Sequence, residues 1–220
     1  MTDRLLPAAA ITTLRRRIDE GDAVVVEAYD ALLAAAEASL ADSHRHLREK
    51  SGSPWYRIDA TYVQGRDGVH DESKDHHAQE LAGKAGGRAL QQALAWRLSG
   101  EQRYADAALG QIAAWCINQD TRMFPSGRVV DLATPDGRHR YGGDIHVFES
   151  FVGLFLGIAL MESCPSWDIA PRAAVKRWVG SMLEPQLDPM FFNGYEMCNN
   201  WEDARLRYLA AGAIAIDVCE

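Results

Sequence analysis

The strongest constraint on the fold is a pair of apolar helical patterns with almost no chain between them. Each pattern repeats at three- or four-residue intervals, which is the spacing of one face of an α-helix. The two faces consist of Leu90, Leu94 and Leu98 in the first helix, and of Tyr104, Ala108, Ile112 and Trp115 in the second. Between them Ser99-Gly100 ends the first helix, since glycine commonly follows a helix C-terminus. So short a connection forces the two helices to be antiparallel neighbours, and the sequence predicts an αα-hairpin.

The rest of the chain shows the same helical spacing and no convincing strand alternation. We predict roughly seven to nine helices and an all-α fold class built from antiparallel hairpins. The predicted helices cover residues 11–19, 23–40, about 75–99, 145–161 and about 171–183. A further helix starts directly after Gly100, and the last one runs from Trp201 or Glu202 to about Val218. The segment 145–161 is strongly apolar, which predicts a central and deeply buried helix. Pro171 is expected at the first position of the helix that follows.

Three long segments, 42–75, 119–143 and 185–199, interrupt the helices. They are rich in glycine and proline, and loops this long inside a compact domain are usually functional. They also fall at every second connection. Because alternate connections in a stack or ring of hairpins lie on one rim, we expect the three loops to converge and build a cleft.

Composition limits the classes of function. The 220 residues suffice for one domain, 1–220, with a sizeable core, and the 47% of hydrophobic residues is ordinary for a globular protein. The 23 Lys and Arg against 31 Asp and Glu residues give a net charge of −8, which argues against a general nucleic-acid binder. An anionic substrate stays open, because a basic cleft can lie on an acidic protein.

The cysteine spacing and the hydropathy further limit the kinds of site and the location that the sequence supports. No two of the four cysteines have CxxC spacing, so no zinc or redox motif is indicated and buried free thiols are expected. No apolar run reaches the length of a membrane span, and three arginines at 15–17 interrupt the apolar N-terminal stretch where a signal peptide would lie. The chain as given is therefore interpreted as cytoplasmic, although a secreted or periplasmic protein without its leader would look the same.

Nearly all the side chains able to bind or transform a ligand fall in or beside the three loops. Aromatic rings, which stack on sugar faces, stand near Arg, His and Asn side chains, which fix hydroxyls and carboxylates. The candidate substrate-binding residues are Tyr62, Arg66, His70, His139, Arg140, Tyr195 and Trp201. No histidines have the spacing of a metal-binding pair, so no metal site is predicted.

His146 and the double asparagine are the candidate catalytic residues with a definite chemistry. His146 stands at the start of the apolar helix, where an imidazole can act as a general base. A structural histidine bonded to Asp144 or Glu149 is the alternative. Of Asn199 and Asn200, one can cap the last helix while the other directs its amide at a carboxylate or carbonyl. The alternative is that both asparagines have only structural roles, one as a helix cap and the other as a turn residue.

Several segments, taken in order, resemble the alginate lyase family of polysaccharide lyases. They are Gly65-Arg66-Asp67-Gly68, residues 93–106 (ALAWRLSGEQRYAD), Trp115, residues 121–126 (TRMFPS) and Cys198-Asn199-Asn200-Trp201. The similarity covers roughly residues 55–216. It implies an incomplete (α/α) toroid with a cleft for an acidic polysaccharide or oligosaccharide as its partner.

The resemblance also implies β-elimination, which needs no metal or organic cofactor. Asn199 or Asn200 would bond the uronate carboxylate, a base would remove the C5 proton, and a tyrosine would protonate the leaving oxygen. Family members commonly carry His directly after the double Asn, where this chain has Trp201. The resemblance then implies either that the base is His146 or a tyrosine, or that the substrate geometry differs. The candidates for the acid are Tyr141, Tyr195 and Tyr208.

The chain is short for a complete toroid, with only 20 residues after Asn200. Either it is truncated at the C-terminus, or a second copy completes the ring as a homodimer, or another tyrosine takes the role of the acid. Two other functions stay open. One is a glycoside hydrolase on a helical barrel, with two carboxylates across the cleft. The other is a truncated, non-catalytic sugar-binding relative that keeps Tyr62, Arg66 and Trp201.

Overall fold

The computed structural model describes residues 5–41, 77–118, 121–122, 132–133, 139–140, 145–187 and 200–216. In these ranges the chain forms seven α-helices and one pair of very short strands, so the all-α fold class is confirmed. The elements are α1 (Ala8–Asp19), α2 (Ala23–Leu40), α3 (His77–Ser99), α4 (Gln102–Cys116), β1 (Leu132–Ala133), β2 (His139–Arg140), α5 (Ile145–Met161), α6 (Ile169–Leu187) and α7 (Asn200–Ile216). None of the described helices combines the length and the hydropathy needed to cross a membrane.

The helix boundaries confirm most of the predicted ones. Helices α2 and α5 have the predicted bounds, and Gly100 follows α3 with a φ of 79°, a conformation that favours glycine. Helix α6 begins at Ile169, so the prediction that Pro171 opens it is wrong. Pro171 is the third helical residue, where a backbone N–H has no intrahelical acceptor, so its absence costs no hydrogen bond.

The segment 119–143, which was predicted to lack strands, contains the pair β1 and β2. The two strands are antiparallel, with Leu132 opposite Arg140 and Ala133 opposite His139. Between them the sequence carries Pro135-Asp136-Gly137, which is a turn signal. Two residues in each strand are too few to show an alternation of apolar and polar side chains, and the prediction missed the pair for this reason.

Helices α3 and α5 lie side by side and run parallel. A Cβ placed on Gly86 would lie 2.7 Å from the backbone nitrogen of Leu154, and one on Gly157 would lie 3.0 Å from the carbonyl carbon of Ala89. Because these contacts advance in the same direction along both helices, the two N-terminal ends lie at the same end of the fold. Two helix backbones approach this closely only where the residues at the contact lack bulky side chains.

Helices α4 and α6 are antiparallel to α3 and α5, respectively. Only two residues separate α3 from α4, and Trp115 near the end of α4 packs edge-on against Phe151, with ring centroids 6.4 Å apart. On α6, Lys176 pairs with Glu162 just past the C-terminus of α5, whereas Trp178, farther along, packs against Phe151. Helix α5 packs against α3 on one side and α7 on the other. The prediction of a central, buried helix is therefore confirmed.

Two arginines fasten the N-terminal segment to the far end of α3. The guanidinium of Arg15 donates to the backbone carbonyls of Arg97 and Leu98, at 3.0 and 2.9 Å, and so caps the C-terminus of α3. The buried guanidinium of Arg97 in turn donates to the carbonyl of Leu6 and to the hydroxyl of Ser163. These contacts lie at the end of the fold opposite to the starts of α3 and α5.

Candidate active site

The starts of α3 and α5 meet at one end of the fold. Gly86 and Gly153 are in contact, and Gln79 and His146 each lie seven residues earlier in their helices. His146 is therefore at about the level of Gln79, so that the first turns of the two helices are neighbours. The chain thus enters α3 and α5 from the same end, as expected for alternate connections in a series of hairpins.

Helix α7 packs against α5 through Tyr208. The Tyr208 ring centroid lies 5.2 Å from that of Phe155 and 6.3 Å from that of Phe151. Helix α7 begins at Asn200, one or two residues earlier than predicted. Asn199 lies outside the described residues, so the division of roles between the two asparagines stays a prediction.

Five of the predicted site residues have a described backbone. His139 and Arg140 form β2, His146 is the second residue of α5, and Asn200 and Trp201 begin α7. The others lie outside the described residues; they are Tyr62, Arg66, His70, Tyr141, Tyr195 and Asn199. The structure thus brings the backbone of His146 to the end where α3 and α5 start, and the remaining assignments stay predictions.

Tyr208 is not the catalytic acid, so that candidate assignment is wrong. It is completely buried, and its hydroxyl donates a hydrogen bond to the backbone carbonyl of Met182 at 2.9 Å. Burial raises the pKa of this phenol well above its usual value. A side chain with no exposed surface cannot deliver a proton to a sugar in a cleft. The sequence holds a signal for this burial, because Tyr208 shares one helical face with Ala204 and Ala211.

A short turn follows the C-terminus of α4 at the same end of the fold. The hydroxyl of Thr121 donates to the carbonyl of Ala114 at 2.7 Å, and the backbone N–H of Arg122 donates to the carbonyl of Asn118 at 2.8 Å. These bonds fold the chain back on the end of the helix, where carbonyls lack intrahelical partners. Arg122, which is not among the predicted site residues, is half-buried here. It belongs to the segment TRMFPS, which carries part of the family resemblance.

The neighbouring helix starts affect the local charge at this end of the fold. The N-terminal ends of α3 and α5 carry partial positive charge, because their first backbone N–H groups have no intrahelical acceptor. The net charge of −8 on the whole chain does not exclude an anionic ligand at this end.

Two other kinds of reactive group, metal ligands and cysteine thiols, can be assessed in the described part of the chain. The described residues hold no group of three or more His, Cys, Asp or Glu side chains that could bind a metal ion. Cys116 and Cys164 are buried free thiols, as predicted, and burial raises the pKa of Cys116 well above its usual value. The other two cysteines, Cys198 and Cys219, lie outside the described residues.

Comparison with known proteins connects this fold to one family. The family model described as "Alginate lyase" matches residues 28–218. The crystal structure of an alginate lyase from Bacteroides ovatus has a similar all-α toroid fold, with a TM-score of 0.73 and 20% sequence identity. The match covers 98% of this chain and 62% of that one, so the chain spans less than two thirds of the length of this relative. No curated protein matches the sequence.

Proposed function

Because the chain belongs to the alginate lyase family, we propose that it is a polysaccharide lyase that cleaves a uronic-acid polymer of the alginate or glucuronan type by β-elimination. The observation that carries the proposal is the family match over residues 28–218. The positive end formed by the starts of α3 and α5 supports an acidic substrate.

We place the start of α7 at this end as well. Each of α3, α5 and α7 follows a helix that packs outside it, so an alternating chain gives all three the same direction. Tyr208, which packs against both Phe151 and Phe155, is eight residues past Asn200. If α7 runs parallel to α5, Asn200 then lies within about one helical turn of the level of His146.

The proposed reaction uses three side chains. The amide of Asn200 bonds the uronate carboxylate and stabilises the negative charge that develops when C5 loses its proton. His146 removes that proton as the general base. Tyr141 protonates the glycosidic oxygen as its bond to C4 breaks, which leaves a 4,5-unsaturated uronate on one product. Asn199 caps α7 in this scheme. If Asn200 is the cap instead, Asn199 bonds the carboxylate.

Residues of all three loops hold the sugar chain in this proposal. Rings stack on the pyranose faces, and cations pair with the carboxylates. The proposed binding residues are Tyr62, Arg66, His70, His139, Arg140, Tyr195 and Trp201. Neither a metal nor an organic cofactor takes part in any of these steps.

A non-catalytic sugar-binding protein is the second candidate, and the residue after the double Asn favours it. Trp201 stands where family members commonly carry a histidine, and an indole cannot act as a base. Tyr208 is also unavailable as an acid. If His146 does not act as the base and Tyr141 does not act as the acid, the chain would bind the polymer without cleaving it.

Incubation of the full chain with alginate, glucuronan and hyaluronan in turn tests the proposal. The 4,5-unsaturated product absorbs in the ultraviolet, so a rise in absorbance with any polymer identifies a lyase together with its substrate. Binding without a rise would favour the sugar-binding alternative. New reducing ends without a rise would indicate a hydrolase, and the absence of both cleavage and binding would contradict the proposed function.

A further inference from the structure

We propose that Gly86 is a positioning residue for the cleavage reaction: its contact with α5 fixes where the first turn of that helix, which carries His146, stands against α3. The inference rests on the proposed lyase function, in which His146 is the general base. It gives a role in turnover to a residue that has no reactive side chain and lies outside the predicted catalytic set.

One side of α5 contacts α3, and the position of His146 in the sequence places it at the start of that side. Four residues of α5 recur at intervals of four, three and four, which is the spacing of one side of a helix. They are His146, Ser150, Gly153 and Gly157. A Cβ on Gly153 would lie 3.0 Å from the carbonyl carbon of Gly86. One on Gly157 would lie 3.0 Å from the carbonyl carbon of Ala89, so this is the side that faces α3.

The contact at Gly86 reaches α5 one turn from His146. A Cβ on Gly86 would lie 2.7 Å from the backbone nitrogen of Leu154 and 3.3 Å from the carbonyl oxygen of Ser150. Within an α-helix that nitrogen donates to that oxygen, and the N–H of Ser150 donates to the carbonyl of His146. Gly86 therefore lies against the row of hydrogen bonds that leads back to His146, which is four residues before Ser150, or about 6 Å along α5.

No side chain can give way at this contact. The three atoms nearest to a Cβ on Gly86 all belong to the backbone of α5. An added methyl group would therefore displace the helix itself, because no rotamer change makes room for it. Packing of Phe151 and Phe155 on Tyr208 holds the middle of α5 against α7. The displacement is therefore expected at the end of the helix that carries His146.

A small displacement of a general base has a large effect on the rate. The base must lie within hydrogen-bond reach of the proton that it removes, and a misplacement of about 1 Å can lower a rate about 10²-fold. Binding of the sugar chain is shared by residues of all three loops in the proposed function, so it should respond less. The contact at Gly86 is therefore expected to act on kcat more than on KM.

Steady-state kinetics of two substitutions that add a methyl group to the same interface test the inference, with the uronate polymer that the wild type cleaves. Gly86→Ala is expected to lower kcat about tenfold or more with little change in KM. Gly157→Ala also sets a methyl group against the backbone of α3, but 11 residues, or about 16 Å, from His146. Its kcat should stay close to that of the wild type, as should that of Gly83→Ala, whose Cβ meets nothing within 4 Å. Rates are compared per folded molecule, well below every melting transition, so that lost stability alone does not lower kcat.

If Gly86→Ala does not fold, Gly153→Ala takes its place, because it tests the same contact from α5 with a wider clearance of 3.0 Å. An unchanged kcat in the variant used, or a kcat that falls equally in Gly157→Ala, would overturn the inference while leaving the lyase function in place. A rise in KM at unchanged kcat would overturn it as well. A wild type that cleaves no uronate polymer would remove the proposed function and this inference with it.

Discussion

Gly153 of α5 lies against Gly86 of α3 backbone to backbone, and a Cβ on Gly153 would be only 3.0 Å from the carbonyl carbon of Gly86. A contact this close leaves no room for a methyl group on either residue. The parallel helix pair that defines the candidate site therefore depends on these two glycines.

Gly86→Ala is expected to destabilise the fold by about 1–3 kcal/mol, because the backbone of Leu154 would have to move away from the new methyl group. Gly83→Ala in the same helix is the matched control. Its Cβ meets nothing within 4 Å, so this substitution should be neutral or slightly stabilising. Chemical denaturation measures both free energies of unfolding. Equal stability of the two variants would contradict the close contact.

Asn200→Ala is expected to lower kcat by about 10²–10³-fold while substrate binding changes little, because its amide acts mainly on charge that develops during the reaction. Asn199→Ala should instead cost about 1 kcal/mol of stability, as the loss of a helix cap does. Kinetics and thermal melting of the two variants separate the roles. Equal losses of turnover and binding in Asn200→Ala would sink its catalytic assignment.

His146→Ala is expected to abolish cleavage and to leave the binding of oligosaccharide largely intact, because the general base acts on one proton of the sugar. His77→Ala, at the first residue of α3 and the same end of the fold, is the control and should retain cleavage. Ultraviolet absorbance follows the reaction, and calorimetry follows binding. Unchanged rates in His146→Ala would eliminate this residue as the base.

Tyr208→Phe is expected to keep full turnover and to lose about 0.5–1.5 kcal/mol of stability, since its hydroxyl donates to the carbonyl of Met182. Tyr141→Phe should show the opposite result, with turnover lost and stability kept. The turnover rates and the thermal melting curves of both variants test this prediction. A folded Tyr208→Phe without turnover would return Tyr208 to the list of candidate acids.

Self-association is expected through α7, where apolar side chains are exposed. Leu206 and Ile214 are 53% and 39% exposed and lie on one side of the helix. Sedimentation at rising concentration should show a dimer, and Leu206→Lys should weaken it. Val24→Lys, at an exposed position on α2, is the control. A strictly monomeric profile at high concentration would argue against a ring completed by a second copy.

Contacts between residues close together in the sequence can be predicted from it, whereas contacts between distant parts of the chain cannot. The bounds of α5 follow from local apolar spacing, and the α3–α4 hairpin follows from Gly100, so both could be predicted. The contact between Gly86 and Gly153 joins distant parts of the chain, and no local pattern specifies such a partner. The parallel direction of α3 and α5 could be predicted only in general terms, as a convergence of alternate loops.

The candidate site shows the same limit. Reactive groups beside the loops could be found from residue type, and the backbone of His146 does lie at the shared end of α3 and α5. Tyr208 was considered for its chemistry, although the small residues on its helical face indicate burial. The shared level of the starts of α3 and α5 appears only when the helix directions are known.

The family match begins at residue 28, whereas α1 ends before it, and Arg15 of α1 closes the far end of α3. A shortened chain that starts at residue 28 would keep every matched residue. It would nevertheless expose the last carbonyls of α3 to water, and fraying would begin there. The contacts that hold α3 in place therefore extend beyond the boundary of the shared sequence pattern.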